Sequence, residues 1–170
     1  MIVREIQKEE VQAAQTFLFQ VMKVLFNMDR HLIFHKDVIN LLDYYVNHPE
    51  MTMIGAFDEE ESIKGTIGIK TFIDRFPEIE GRYSDVKVAE LARCYIEPGM
   101  RRQGIGGMLF ESLMTACRLK AFDVIYLHTH RHLPGGIHFW QKKNFKIIHE
   151  DQERDIVHME IWLNESSVKA

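Results

Sequence analysis

Hydrophobic and polar positions divide the chain into stretches of two periods. Across residues 8–27, Val11, Ala14, Leu18, Val21, Met22 and Leu25 recur three and four apart, the apolar stripe of a helix. Phe17, Phe19 and Phe26 widen that stripe, and large aromatics chiefly fill cores. Ile105, Met108, Leu109, Leu113, Ala116 and Cys117 repeat the spacing and predict a second long helix. A shorter one is predicted from an N-cap at Asp37 to Val46, stopped by His48-Pro49. Shorter β-prone runs lie at 2–6, 51–57, 63–72, 90–96, 123–129, 145–148 and 156–162. In the third, Ile63, Gly65, Ile67 and Ile69 alternate against Lys64, Thr66, Gly68 and Lys70, as in a half-exposed strand. The run 123–129 is almost continuously apolar, which predicts a central strand. Asp58–Ser62 reads as a hairpin turn and residues 74–85 as a loop punctuated by Pro77 and Gly81. Pro134-Gly-Gly precedes a short helix at 137–143, and a charged turn is expected at 150–155. Helices alternate with strands early and late while hairpins occupy the middle. That is an α/β (α+β) pattern, a mixed sheet flanked by helices.

Composition changes this picture mainly by exclusion. The chain of 170 residues fits one domain, 1–170, with no linker or repeat, and residues 164–170 are expected to fray. A net charge of −4 argues against a nucleic-acid partner, whose phosphates need a basic surface. No apolar run approaches a membrane span, and the N-terminus lacks a signal-peptide pattern. Cys94 and Cys117 therefore read as free thiols and the protein as cytoplasmic.

The most informative stretch is Glu90-Leu-Ala-Arg-Cys-Tyr-Ile-Glu-Pro98-Gly-Met-Arg101-Arg-Gln-Gly104-Ile-Gly106-Gly-Met108. A strand closed by Pro98 leads through a basic, glycine-rich turn into the second long helix. The first helical turn presents unpaired N–H groups and partial positive charge, and glycine admits a ligand close to the backbone. Arg101 and Arg102 add donors suited to phosphate. A Walker loop requires Lys-Ser/Thr where Ile105-Gly106 stands, and the third glycine of a dinucleotide fingerprint would fall on Leu109.

What remains is Arg-x-x-Gly-x-Gly directly after a strand ending in proline. With Glu90-Leu91, Tyr95-Ile96, Pro98, Arg101, Gly104 and Gly106 in place, the run resembles the acyl-CoA-binding signature of the GNAT superfamily of N-acyltransferases. The resemblance covers residues 51–162 well, with its central motif at 90–120, and the first fifty in outline. It implies a single GNAT-like domain with a mixed, mostly antiparallel sheet. It also implies acetyl-CoA as acyl-donor co-substrate and a primary amine as acceptor, with direct transfer between them. Main-chain groups of Cys94 and Ile96 would pair with the pantetheine arm. The backbone of Arg101, Arg102, Gln103, Gly104, Ile105, Gly106 and Gly107 would hold the pyrophosphate.

Acyl transfer to an amine poses two proton problems. Freeing an amine of pKa about 10.4 at pH 7 costs roughly 4.6 kcal/mol, and expelling a thiol of pKa about 8.5 as thiolate only about 2. The amine needs a base more than the thiol needs an acid. Glu90 matches the family glutamate that often serves as that base; otherwise it is a surface carboxylate or a strand-start ion pair. The family's acid is a tyrosine in Phe-Tyr-x-x-x-Gly-Phe. Here the frame is Phe139-Trp140-Gln-Lys-Lys-Asn144-Phe145, and an indole cannot deliver that proton. Asn144 tolerates the left-handed backbone that glycine would supply. The usual asparagine falls on Leu133. His31, Phe34, His128, His130 and Trp140 are candidates for the acceptor or acyl pocket. The spacings His31/His35 and His128-x-His130-x-His132 carry too little for a metal site, and none is expected. Trp140 in place of tyrosine keeps a second reading open, a non-catalytic acyl-CoA sensor or partner-binding module of the same fold. A β edge or the aromatic first helix could carry a homodimer interface.

Overall fold

A computed structural model describes residues 1–164, so the tail expected to fray, 164–170, lies outside the described residues except for Asn164. The elements are β1 (Ile2–Glu5), α1 (Val11–Phe26), α2 (Lys36–Ile39), β2 (Thr52–Phe57), β3 (Ile63–Thr71), β4 (Val88–Ile96), α3 (Ile105–Leu119), β5 (Val124–Thr129), α4 (Gly136–Lys142), β6 (Lys146–Asp151) and β7 (Ile156–Trp162). The strands form one sheet in the order β1-β2-β3-β4-β5-β7-β6. Pairings β1–β2, β2–β3, β5–β7 and β6–β7 are antiparallel, while β4 runs parallel to β5 with Glu90 opposite Tyr126. This is the mixed sheet flanked by helices that the pattern predicts, mostly antiparallel as the resemblance implies, with β5 inside it.

The chain clusters into two compact units, each built from two stretches of sequence. The first takes Met1–Lys70 and Leu91–Ala116, the second Thr71–Glu90 and the chain from Cys117 onward. In the first, the stripe of α1 (Ala14, Leu18, Val21, Met22) buries with Val38, Leu41, Tyr45, Met53 and Phe57. Leu18 has no exposed surface, and truncating such a side chain to alanine costs about 2–5 kcal/mol. α1 ends on Asn27, left-handed at φ 47°, a short polar residue at the position where glycine is commonest. In the second unit Ile79, Tyr83, Val88, Val124 and Tyr126 form the buried cluster, with Phe72, Phe76 and Trp162 against it.

Two local expectations change. The helix predicted from Asp37 to Val46 is interrupted: α2 is one turn, and Leu42–Val46 is a π-helical turn. Asp37 lies inside α2 rather than at its N-cap, because its carboxylate is taken by Arg93 and Tyr45. β3 is not half-exposed; Gly65 to Ile69 are all buried. A Cβ on Gly65 would lie 3.1 Å from Leu109 of α3, and one on Gly68 would lie 3.2 Å from Met53 and 3.3 Å from Tyr45. Both faces are therefore covered, and small residues permit the approach. Thr66, fully buried between them, gives its hydroxyl proton to the Arg93 carbonyl at 2.9 Å.

Candidate active site

The turn between β4 and α3 has the form the sequence predicts. Pro98–Met100 make one 3-10 turn, Arg101 and Gln103 are exposed, and α3 begins at Ile105. Arg102 and Gly104 are both left-handed, at φ 62° and 83°. A Cβ on Gly104 would meet no protein atom within 4 Å, so the surface there is open to a ligand. Gln103 folds back to donate to the Gly99 carbonyl at 3.3 Å, closing the turn. α3 is long enough for a substantial dipole, and the N–H groups of its first turn have no carbonyl of their own helix to bond. These residues fit a diphosphate. Leading into the turn, Cys94 lies in β4 with its thiol pushed up to about 12 by burial, an unreactive group.

Two of the residues proposed for the acceptor side, His31 and Phe34, meet in the segment between α1 and α2. Their rings stack at 4.4 Å, and His31 Nδ1 accepts the N–H groups of Ile33 and Phe34. Leu32, Ile33 and Phe34 are all strongly exposed, Phe34 at 62%. The segment is tied at its end by a residue the sequence reading missed. Arg93 donates to both oxygens of Asp37 at 3.0 and 2.7 Å, and to the Phe34 carbonyl at 2.8 Å. Tyr45 adds a third bond to the same carboxylate at 2.5 Å. Burial alone would push Asp37 up, but the guanidinium and the phenol hold it below the usual carboxylate range. Arg93 does this from a left-handed backbone, φ 53°, in mid-strand, a conformation disfavoured for any residue but glycine.

In the second unit Glu90 is 2% exposed and clamped by Arg75, which donates to its two oxygens at 2.6 and 2.8 Å. Of the two structural alternatives to a base, the ion pair is the one present. Arg75 also lies over the Phe76 ring at 4.5 Å, and that ring packs edge-on to His128 at 5.2 Å. His128 Nδ1 is 3.8 Å from Glu90 Oε1, too far for a hydrogen bond, and this buried nitrogen has no other partner. Burial lowers His128 to about 4, so its imidazole is neutral at pH 7.

The other candidates separate from this pair. His130 Nδ1 lies 2.7 Å from the Asp155 carbonyl, and His132 Nδ1 lies 2.7 Å from its carboxylate. One donor atom from each of His130, His132 and Asp155 comes within 4.8 Å of the others, a grouping without His128 that these bonds account for. Trp140 is buried between Phe139 and Phe145 at centroid distances of 4.7 and 5.5 Å. Asn144 takes the left-handed backbone expected of it, φ 67°. Two further networks had no sequence signal. Tyr126 and Glu78 engage the two nitrogens of His158, at 2.8 and 2.9 Å. Arg82, Tyr83 and Trp162 converge on Glu160.

A sheet of this order, with a glycine-rich turn entering a long helix after its fourth strand, is the arrangement of the GNAT fold. The chain belongs to the GNAT acetyltransferase family, whose model matches residues 18–145. No curated protein matches it. Among solved structures it is similar to a GNAT-family acetyltransferase from Staphylococcus aureus Mu50 at 20% identity and TM-score 0.77, covering 96% of this chain and 99% of that one. It is also similar to the PaiA N-acetyltransferase of Thermoplasma acidophilum in complex with coenzyme A, at 19% identity and TM-score 0.72, covering 95% and 98%. A third is an aminoglycoside 6'-N-acetyltransferase complexed with coenzyme A, at 17% identity and TM-score 0.69, covering 96% and 98%. At these identities the likeness is one of fold. Among the described residues no helix is long and apolar enough to cross a membrane.

Proposed function

We propose that the whole chain acts as one N-acyltransferase domain that moves an acetyl group from acetyl-CoA directly to a primary amine. The observation that carries this reading is the turn at 101–107, where an open left-handed glycine, two arginines and the free amides of α3 converge in a chain of this family. In this reading those amides and Arg101 or Arg102 hold the pyrophosphate. Main-chain groups of Cys94 and Ile96 bind the pantetheine arm as an added strand would. When bound, the thioester supplies an activated acyl carbon and a leaving group that needs little help. Glu90, on the same strand as Cys94 and Ile96, is the carboxylate this reading assigns to the amine side. His31 and Phe34 offer an aromatic surface to the acceptor.

Acetyl-CoA at millimolar concentration should raise the melting temperature of the wild-type protein. Thiol release should then appear with at least one member of a panel of lysine, a polyamine, an aminoglycoside and a peptide with a free N-terminus. Gly104→Val should abolish the thermal shift, since φ 83° is strained for a β-branched residue and the added side chain would fill the surface left open to the ligand. Absence of any shift with the wild-type chain would overturn the donor assignment. The second reading, a non-catalytic acyl-CoA sensor, draws on the buried Trp140 where the family's tyrosine stands. It is favoured by binding without turnover on the whole panel.

A further inference from the structure

We propose that His128 takes the proton from the acceptor amine through Nε2, and that Glu90 is the positioning residue that holds the imidazole in the tautomer leaving Nε2 unprotonated. This rests on the acyl-transfer reading and revises the role of Glu90 within it. Three observations carry it. First, Nδ1 is the buried, unpartnered nitrogen, and the Glu90 carboxylate faces it with Oε1 at 3.8 Å. A proton on Nδ1 faces a carboxylate, whereas a lone pair there faces like charge. Second, the side chain as a whole is 30% exposed although Nδ1 is sealed, so the accessible part of the ring is the opposite edge, which carries Nε2. Third, Arg75 binds both oxygens of Glu90 and so fixes the position of the charge that faces Nδ1. Carboxylate, imidazole and substrate proton in line is the logic of an acid–histidine dyad. His158 cannot take the role, because Tyr126 and Glu78 occupy its two nitrogens.

The step balances without another reactant. The amine nitrogen attacks the thioester carbonyl carbon, forming C–N. Its proton passes to His128 Nε2, the C–S bond breaks, and the thiolate is protonated from the imidazolium or from solvent. The imidazolium exists only during the reaction, and Glu90 stabilises it. The groups facing the ring are Glu90 from β4, Arg75 and Phe76 from the preceding loop, His158 from β7, Tyr126 of its own strand and His130 just beyond the end of that strand. Burial keeps the resting ring neutral down to about pH 4, so Nε2 carries a lone pair throughout the working range, and the proton it takes must be held by the Glu90 charge.

The experiment has one arm that needs no substrate. Long-range proton–nitrogen NMR of the histidine-labelled wild-type protein at pH 7 should show His128 protonated on Nδ1. In Glu90→Gln that preference should weaken or reverse. The second arm measures thiol release with acetyl-CoA and the best amine of the panel. His128→Gln should lower kcat by about 10²–10⁴-fold, with an unchanged acetyl-CoA thermal shift showing that the variant is folded and loaded. His128→Asn serves if the glutamine variant melts early. A wild-type ring protonated on Nε2 would overturn the proposal. So would His128→Gln turning over within twofold of wild type while Glu90→Gln loses a hundredfold, since Glu90 would then be the base. A wild-type chain that binds acetyl-CoA but releases no thiol defeats the acyl-transfer reading and this assignment together, whereas parity of His128→Gln defeats the assignment alone.

Discussion

Asp37–Arg93 and Glu90–Arg75 are both buried carboxylates gripped at both oxygens by one guanidinium, yet they are finished differently. Around Asp37 the account is closed: Arg93 and Tyr45 donate to the carboxylate, and Arg93 has further partners in the Phe34 carbonyl and the Met22 sulfur. Arg93 itself is only 15% exposed. Around Glu90 the arginine is 35% exposed, and beside the carboxylate stands a histidine nitrogen with nothing to bond. A fully satisfied buried ion pair fixes geometry and has no reason to exchange protons. One that borders an unsatisfied ionisable group stores a preference that a substrate can use. The same residue types thus serve architecture in one unit and, in our reading, chemistry in the other.

Breaking the closed pair should have the largest effect on stability. Arg93→Met strands the Asp37 carboxylate and should cost about 3–5 kcal/mol in urea or thermal unfolding. Adding Asp37→Leu should restore much of it, because the penalty lies in the unpaired charge. If the single variant unfolded like wild type, the pair would not be structural. Glu90→Gln should be milder for the fold, about 1.5 kcal/mol, since the amide keeps one acceptor for Arg75. Its turnover should fall while acetyl-CoA binding holds, the reverse of the order of effects expected at Arg93. Equal activity of Glu90→Gln and wild type across pH would remove Glu90 from the mechanism.

Proton linkage separates the two regions again. Burial depresses His128 from 6.5 to about 4 in the folded chain, so between these values the unfolded chain binds more protons there. Its contribution is complete above pH 6.5, declines as pH falls and is gone below about 4. Unfolding free energies at pH 7 and pH 5 should differ less in His128→Gln than in wild type. Asp37, also held below its ordinary value, contributes above pH 3.8 and loses its contribution only as pH falls further, through its folded value. A drop in stability at pH 5 that survives in His128→Gln would place the titration elsewhere. The smallest effect belongs to the exposed pair Lys23–Asp29, whose side chains are 67% and 86% accessible. Asp29→Ala should change unfolding by no more than about 0.5 kcal/mol. A larger loss there would mean that ion pairs in this protein cannot be ranked by burial.

What the sequence could convey follows from the range of the interactions. The strand–turn–helix at 90–119 was legible because its glycines, arginines and apolar stripe are local and carry their own spacing. Asn144 was legible because a left-handed backbone restricts a single residue. The interrupted second helix was not, since Asp37 is drawn to a partner 56 residues away. The same holds for β3, whose alternation predicts one open face until α3 and the residues around Tyr45 cover both. Arg75 lies in an unpatterned loop, and nothing local marks it as the partner of Glu90. The histidines were visible as residue types. Only coordinates distinguish His158, bonded at both nitrogens, from His128 with one sealed and unmatched.

The division of the chain into units, each made of two separated stretches, has a consequence for biosynthesis. A ribosome adding roughly 5–20 residues per second releases Lys70 seconds before the stretch from Leu91 that completes the same unit. During that interval α1 and β1–β3 are out with their apolar faces uncovered, and β5 must wait longer still for β7. Nascent chains stalled before residue 91 should therefore be captured by holdase chaperones and digested readily, and those extending past Trp162 should resist.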